Sequence, residues 1–279
     1  MKNFYDVLNA VSGAFGLPPM GESYKYSDSE VTDLTAALLR NGNVVVENYA
    51  GTCTVSVGDV ESACISAKIS YRSNSEEILR QAVHSVAVQV VTNGDGLEIG
   101  LYDIPAGRKL SESESDFLSE VDISADLSII LPQDLLEIYP ERPVLLNISN
   151  STGNIKVRDF MGAVELRVQT GNITLENMDI SGDSSVMCGL GNISADISSM
   201  IDSVVKLTVE TGNVSVDPGD PESSELQIRV GTGNISLDSG KLIFSEISKD
   251  IGYAGGSAVL EYDGMLKVSM STDTGKLNY

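Results

Sequence analysis

The chain of 279 residues holds one histidine, His84, and three cysteines, Cys53, Cys64 and Cys188. A lone imidazole acts as a general base only beside a nucleophile and a third group that orients it. His84 lies in an apolar alternating run, Val83 to Val91, which points to a packed or surface histidine on a strand. Without a Cys-x-x-Cys spacing, three cysteines give neither a disulfide framework nor a zinc site. Cys53 and Cys64 are spaced so that neighbouring strands would let them pair, but three buried thiols in a reducing compartment fit better. Asp196, Asp217 and Asp238 each stand five places past a glycine, with Glu176 and Arg158 at the same place in two other units. Stacked carboxylates offer oxygen ligands to calcium. The calcium-binding nonapeptide repeat, however, uses a shorter Gly-rich unit, so a solvated acidic edge is expected here. Asn93-Gly94-Asp95-Gly96 and Ala254-Gly255-Gly256-Ser257 lack the Lys-Ser or Lys-Thr of a phosphate cradle. The expectation is a protein with no catalytic residues, no cofactor and no metal: not an enzyme.

What positions these residues is a repeat. Thr152-Gly153-Asn154-Ile155, Thr170-Gly171-Asn172-Ile173, Leu190-Gly191-Asn192-Ile193, Thr211-Gly212-Asn213-Val214 and Thr232-Gly233-Asn234-Ile235 follow one another with glycine steps of 18, 20, 21 and 21. Thr274-Gly275-Lys276-Leu277 lies 42 beyond Gly233, equal to two steps of 21. Period-two apolar residues flank each phrase, such as Leu207 and Val209 before Val214 and Val216. Each unit therefore reads as strand, tight Gly-Asn turn, strand and polar connection. Glycine takes positive φ without steric cost and asparagine tolerates it better than most residues. A two-stranded unit cannot cover its own apolar face, so the units must stack. The fold class is all-β, a β-solenoid like a single-stranded β-helix with coils of about 20 residues. A β-sandwich or meander is the rival arrangement. Stacking would set Asn154, Asn172, Asn192, Asn213 and Asn234 into a ladder of side-chain amides beside Gly153, Gly171, Gly191, Gly212 and Gly233. Because Ser or Thr follows two places later, Asn147, Asn150, Asn172, Asn192, Asn213 and Asn234 also match the N-glycosylation pattern. The repeat itself generates that match, and the ladder is the favoured role.

The Thr-Gly-Asn-Ile repeats, preceded by a non-repeating β segment, resemble the bacterial and archaeal "putative adhesin" family of unknown function, also called the toastrack family. The resemblance covers Val31 to Tyr279 and is one of periodicity. It implies an all-β, solenoid-like body with a structural or interaction role.

Lys plus Arg number 18 and Asp plus Glu 40, a net charge of −22. That balance argues against nucleic acid and against charge-driven docking on anionic lipid. No apolar run approaches the length of a membrane-spanning helix, and Val7 to Leu17 is too interrupted for a signal peptide. A cytoplasmic location is the expectation, with the cell surface by an unrecognised route as the alternative. Residues 1–30 read as an N-terminal extension, 31–132 as an irregular β segment and 133–279 as the repeat solenoid, with 31–279 one continuous elongated domain. Within the irregular segment, Val31 to Arg40 reads as a strand, because Asn41-Gly42-Asn43-Val44 echoes the repeat phrase. Glu76 to Gln81 reads as a short helix, Asn93-Gly94-Asp95-Gly96 as a hairpin turn, and Pro105 to Phe117 as a mobile surface loop. Three functions follow: a non-catalytic structural or protein-interaction scaffold, taking a protein partner or self-associating as a homo-oligomer; a cell-surface adhesion module; and a polysaccharide-acting enzyme on a β-helix. The last would need paired carboxylates about 5–10 Å apart in a groove.

Overall fold

The computed structural model describes residues 30–31, 42–61, 63–93, 96–113, 116–133, 143–238, 240, 242–252 and 254–279. The expected N-terminal extension up to residue 29, and the expected strand beyond Val31, lie outside the described residues. β1 (Glu30–Val31) is a two-residue strand. β2 (Asn43–Ala50) turns at Gly51 into β3 (Cys53–Gly58), forming the first regular coil. The chain then leaves the regular coils through β4 (Cys64–Arg72), helix α1 (Glu76–Ser85), β5 (Val86–Asn93), β6 (Gly96–Asp103), β7 (Arg108–Lys109) and β8 (Asp122–Pro132), of which β6 and β8 lie in parallel under β2 and β3. It returns with β9 (Leu145–Thr152) and β10 (Ile155–Arg158), lying directly on β2 and β3. Four further coils follow: β11 (Met161–Thr170) with β12 (Ile173–Ser181), β13 (Ser184–Leu190) with β14 (Ile193–Ile201), β15 (Val204–Thr211) with β16 (Val214–Asp217) and β17 (Asp220–Glu222), and β18 (Ser224–Thr232) with β19 (Ile235–Leu237). A hairpin of β20 (Ser245–Ile251) and β21 (Gly256–Tyr262) precedes the last coil, β22 (Leu266–Thr274) with β23 (Leu277–Asn278).

Two facing sheets result. The strands entering the glycine corners pair in parallel in the order β2–β9–β11–β13–β15–β18–β22, with β6 added in parallel outside β2. Those leaving it pair in parallel as β8–β3–β10–β12–β14–β16–β19–β23. At ~4.8 Å per strand, eight levels make a stack of about 35 Å. The register between coils keeps like positions aligned: Val186, Leu207 and Ile228 form one buried column, Cys188, Val209 and Val230 another. A slip of one residue would turn each of these aliphatic side chains to solvent, so the alternation itself holds the register.

Antiparallel pairing of the rival meander type occurs at both ends. β4 runs against β8 and β5 against β6 at one end, while β20 and β21 run against β21 and β22 at the other. These atypical layers cover the core where parallel stacking stops.

The structure changes several local expectations. Gly275 stacks on Gly233 itself, with the Lys276 N–H donating to Asn234 Oδ1 at 3.0 Å, so the step of 42 is one coil carrying the β20–β21 hairpin. Arithmetic alone cannot separate two coils from one coil with an insertion. The phrase at Gly42-Asn43 is not a member of the glycine column; Gly42 precedes β2 at the opposite end of the strand, beside Val144. α1 runs on to Ser85, so His84 is an exposed residue in its last helical turn and not a strand histidine. Leu79, Ala82 and Ser85 are buried at helical spacing, and Ser75 Oγ caps the first turn by accepting from the Ile78 N–H. That spacing outweighs the period-two pattern until Val86. The described part of 105–117 forms β7 and 3-10 turns that are tied to the sheet through Lys109 and Ser113.

The Gly-Asn corner column as a candidate functional site

Each coil turns through its glycine at a φ that other residues avoid, from 108° at Gly51 to 149° at Gly275. The glycine N–H donates to the residue before the next glycine: Gly153 to the Thr170 carbonyl at 2.9 Å, Gly171 to Leu190 at 2.9 Å, Gly191 to Thr211 at 3.0 Å and Gly212 to Thr232 at 2.8 Å. The residue after each asparagine continues the lattice, as with Ile173 N–H to the Asn192 carbonyl at 2.9 Å. The stacked carbonyls come so close that a Cβ on Gly171, Gly191, Gly212 or Gly233 would overlap the carbonyl oxygen of the glycine in the coil beneath. Glycine is required there for space as well as for φ.

Outside this backbone lattice runs the asparagine ladder. Asn172 Nδ2 donates to Asn154 Oδ1 at 3.1 Å, and Asn192 to Asn172, Asn213 to Asn192 and Asn234 to Asn213 each follow at 3.0 Å. Each oxygen also accepts the backbone N–H of the next asparagine, between 3.0 and 3.1 Å. The amide oxygens of Asn154, Asn172, Asn192 and Asn213 thus each accept two hydrogen bonds.

The column extends below the sequence repeat. Gly51 sits over Ala125, and the Thr52 N–H donates to Asp126 Oδ1 at 2.9 Å, with neither level carrying the Gly-Asn phrase. A buried row backs the corner. Asn48 Nδ2 donates to the Ala125 carbonyl at 2.8 Å, Asn150 Nδ2 to Gly51 at 2.7 Å, Cys188 Sγ to Gly171 at 3.2 Å and Thr272 Oγ1 to Gly233 at 3.1 Å. Each donor stands three places before its own corner glycine. A polar residue in an otherwise apolar inward register is the signal that marks this row.

The acidic positions do not converge. Glu176 is neutralised by Lys156 at 2.5 Å and Arg158 at 2.6 Å, and its hydrogen bond from Lys156 holds its carboxyl below the usual range. Asp196 and Asp217 are neighbours in register. Asp217 and Asp238 each accept from a backbone N–H two places on, at Gly219 and Gly240. Among the described residues no cluster of three His, Cys, Asp or Glu side chains is set to hold a metal. Of the sequons, Asn150 is buried, Asn147 donates to Glu165 at 3.1 Å, and Asn172, Asn192, Asn213 and Asn234 are ladder rungs.

One charged cluster stands beside the first coil. Lys109 Nζ lies 2.8 Å from Glu47 and 2.7 Å from Glu98, and Tyr102 OH donates to Glu98 at 3.1 Å. The Lys109 hydrogen bond pulls the Glu98 carboxyl below its ordinary value against the opposing effect of burial. Burial alone would depress Lys109, but Glu47 and Glu98 outweigh it and raise its pKa above the usual lysine range.

No family model matches the chain, and no curated protein matches it. Among solved structures, the crystal structure of a "putative cell adhesion protein" from Clostridium sporogenes is similar at 9% sequence identity and a TM-score of 0.31, over 91% of this chain and 98% of that one.

Proposed function

We propose that the protein is a non-catalytic scaffold that offers its corner column and the strand faces beside it to a protein partner or to a second copy. The carrying observation is the unbroken column from Gly51 to Gly275, in which every level is tied to the next by backbone bonds and, through the repeat, by the asparagine rungs. Such a surface is held in place before any partner arrives, which lowers the ordering cost of association. Contact through a face suits this chain better than contact through its end. The terminal strand β20 is fully exposed, but a bulge at Ile247 and the charges of Glu246, Lys249 and Asp250 blunt it as a pairing edge. The paired carboxylates Glu47 and Glu98 support the non-catalytic reading, because both are committed to Lys109, and a glycosidase acid needs its pKa raised while that of Glu98 is lowered. The charge of −22 favours a protein contact over nucleic acid.

The test is affinity capture from the native cell with the wild type and with a Thr170→Arg, Thr211→Arg variant, which places charge on the column without removing a rung. A partner, or a second copy, retained by the wild type and lost from the variant is the expected result; equal retention would overturn the reading. Protease treatment of intact cells distinguishes the adhesion alternative, since release of peptides would place the protein outside.

A further inference from the structure

We propose that a cleft at the N-terminal end of the column binds a short neutral oligosaccharide. The cleft borders the first levels of the column at Ala50 and Thr152, but sugar binding there does not depend on the scaffold contact.

The cleft exists because one level of the stack splits. β2 is paired with β9 along its whole length to Ala50, but β6 pairs with it only from Val44 to Glu47. Beyond that point β6 turns away to pair with β7 at Tyr102 and Asp103. The space under Tyr49 and Ala50 is floored by the overhanging ends of β4 and β8, where Ser70 faces Ser124 and Arg72 faces Asp122 across the antiparallel ladder. Leu110, Ser111, Ser113, Leu118, Ser119 and Val121 form the far wall of a cleft of about 880 Å³. That volume falls in the ~300–1,000 Å³ range of small-ligand sites.

The wall is set in advance. The buried Asp103 carboxylate accepts from the Ala106 N–H at 3.3 Å and from Ser113 Oγ. Lys109 clamps the segment to Glu47 and Glu98, and Ser73 Oγ donates to the Glu120 carbonyl at 2.8 Å at its other end. A site on anchored elements does not have to be ordered by its ligand.

The lining selects the ligand chemistry. Tyr49, 57% exposed, supplies an aromatic ring to the lining. Ser70, Ser124 and Thr152 present hydroxyls that both donate and accept. Arg72 donates in fixed directions and Asp122 only accepts. A pyranose matches this set, with a C–H face for the aromatic ring and a rim of hydroxyls for the polar groups. One cation and one anion in the cleft give no net preference for a charged ligand, and the surrounding charge of −22 repels acidic glycans.

The experiment is saturation-transfer NMR on the full chain with cellotetraose, maltotetraose, mannotetraose and N-acetylchitotetraose as separate probes at millimolar concentration. At least one probe is expected to receive saturation from the protein. Tyr49→Ala should weaken that probe about tenfold, the loss typical of an aromatic anchor. Tyr49→Phe should retain the affinity, because the ring face is kept, and Asp122→Asn should reduce it. Absence of transfer to all four probes overturns the proposal. So does a Tyr49→Ala variant of unchanged melting temperature that binds as the wild type does. If Tyr49→Ala alters the fold, Asp122→Asn decides, and unchanged affinity there overturns the assignment.

Discussion

Gly191 stands directly over Gly171, so close to the Gly171 carbonyl oxygen that no Cβ fits between them, while Gly171 donates its N–H to the carbonyl of Leu190. The relationship recurs at each level of the repeat, and it makes the corner the least forgiving part of the chain.

Gly191→Ala is accordingly expected to cost about 3–5 kcal/mol, since the methyl meets rigid backbone and the φ of 145° is disallowed to alanine. Gly264→Ala is the control: its φ is 71° and nothing lies within 4 Å of the added Cβ, so about 1 kcal/mol is expected. Urea denaturation of both variants checks the contrast. Similar losses at the two sites would refute the steric account of the column.

Asn192 sits in the middle of the ladder, donating to Asn172 and accepting from both the side chain and the backbone of Asn213. Asn192→Ala removes all three bonds and leaves the Asn213 N–H groups to solvent. An expected loss of about 1–3 kcal/mol follows for partly exposed hydrogen bonds. Stability indistinguishable from wild type would mean that water replaces the rung.

The Lys109 clasp predicts a pH window. The lowered pKa of Glu98 means that its share of the stabilisation is present above the unfolded carboxylate value and is lost as pH falls through the folded one. The raised pKa of Lys109 means that its share is complete below the unfolded lysine value and is lost as pH rises through the folded one. Amide exchange in 104–113 and 116–121, corrected for intrinsic rates, should therefore stay slow from about pH 5 to about pH 10 and accelerate outside that range. Lys109→Met should speed exchange in this segment while leaving the repeat coils unchanged. Exchange independent of pH and of Lys109 would show that the segment is held by other means.

Thiol chemistry separates the cysteines. Burial pushes the Cys53 thiol up to about 12, and burial together with the charge of Glu210 raises Cys188. Neither should react with a disulfide reagent at pH 8 in the folded protein, whereas Cys64, half-buried, is expected to react slowly. Denaturation should release all three. Fast labelling of Cys53 in the native state would contradict its place in the core.

The parallel coils were legible in the sequence because the phrase and the alternation repeat together. Leu207, Val209, Val214 and Val216 recur at the spacing of a two-strand unit that stacking buries. The antiparallel end layers carry no repeat, and there His84 was misplaced, since Leu79, Ala82 and Ser85 show their helical face only once the helix is packed. Gly51-Thr52 and Ala125-Asp126 were invisible as corners because their rungs are supplied by a backbone N–H and an aspartate instead of a Gly-Asn pair.

The amino-acid sequence by itself determined that short strands must alternate with Gly-Asn turns and that their apolar faces must be covered by neighbouring units. Those are local demands of φ, side-chain period and burial. Only the tertiary structure decided that the 42-residue step is one coil with a hairpin and that the first coil lies a hundred residues before the second. It alone brought Tyr49, Arg72 and Asp122 around one cleft. Contacts between residues so far apart depend on where the chain leaves the stack and returns to it, and no local periodicity encodes that.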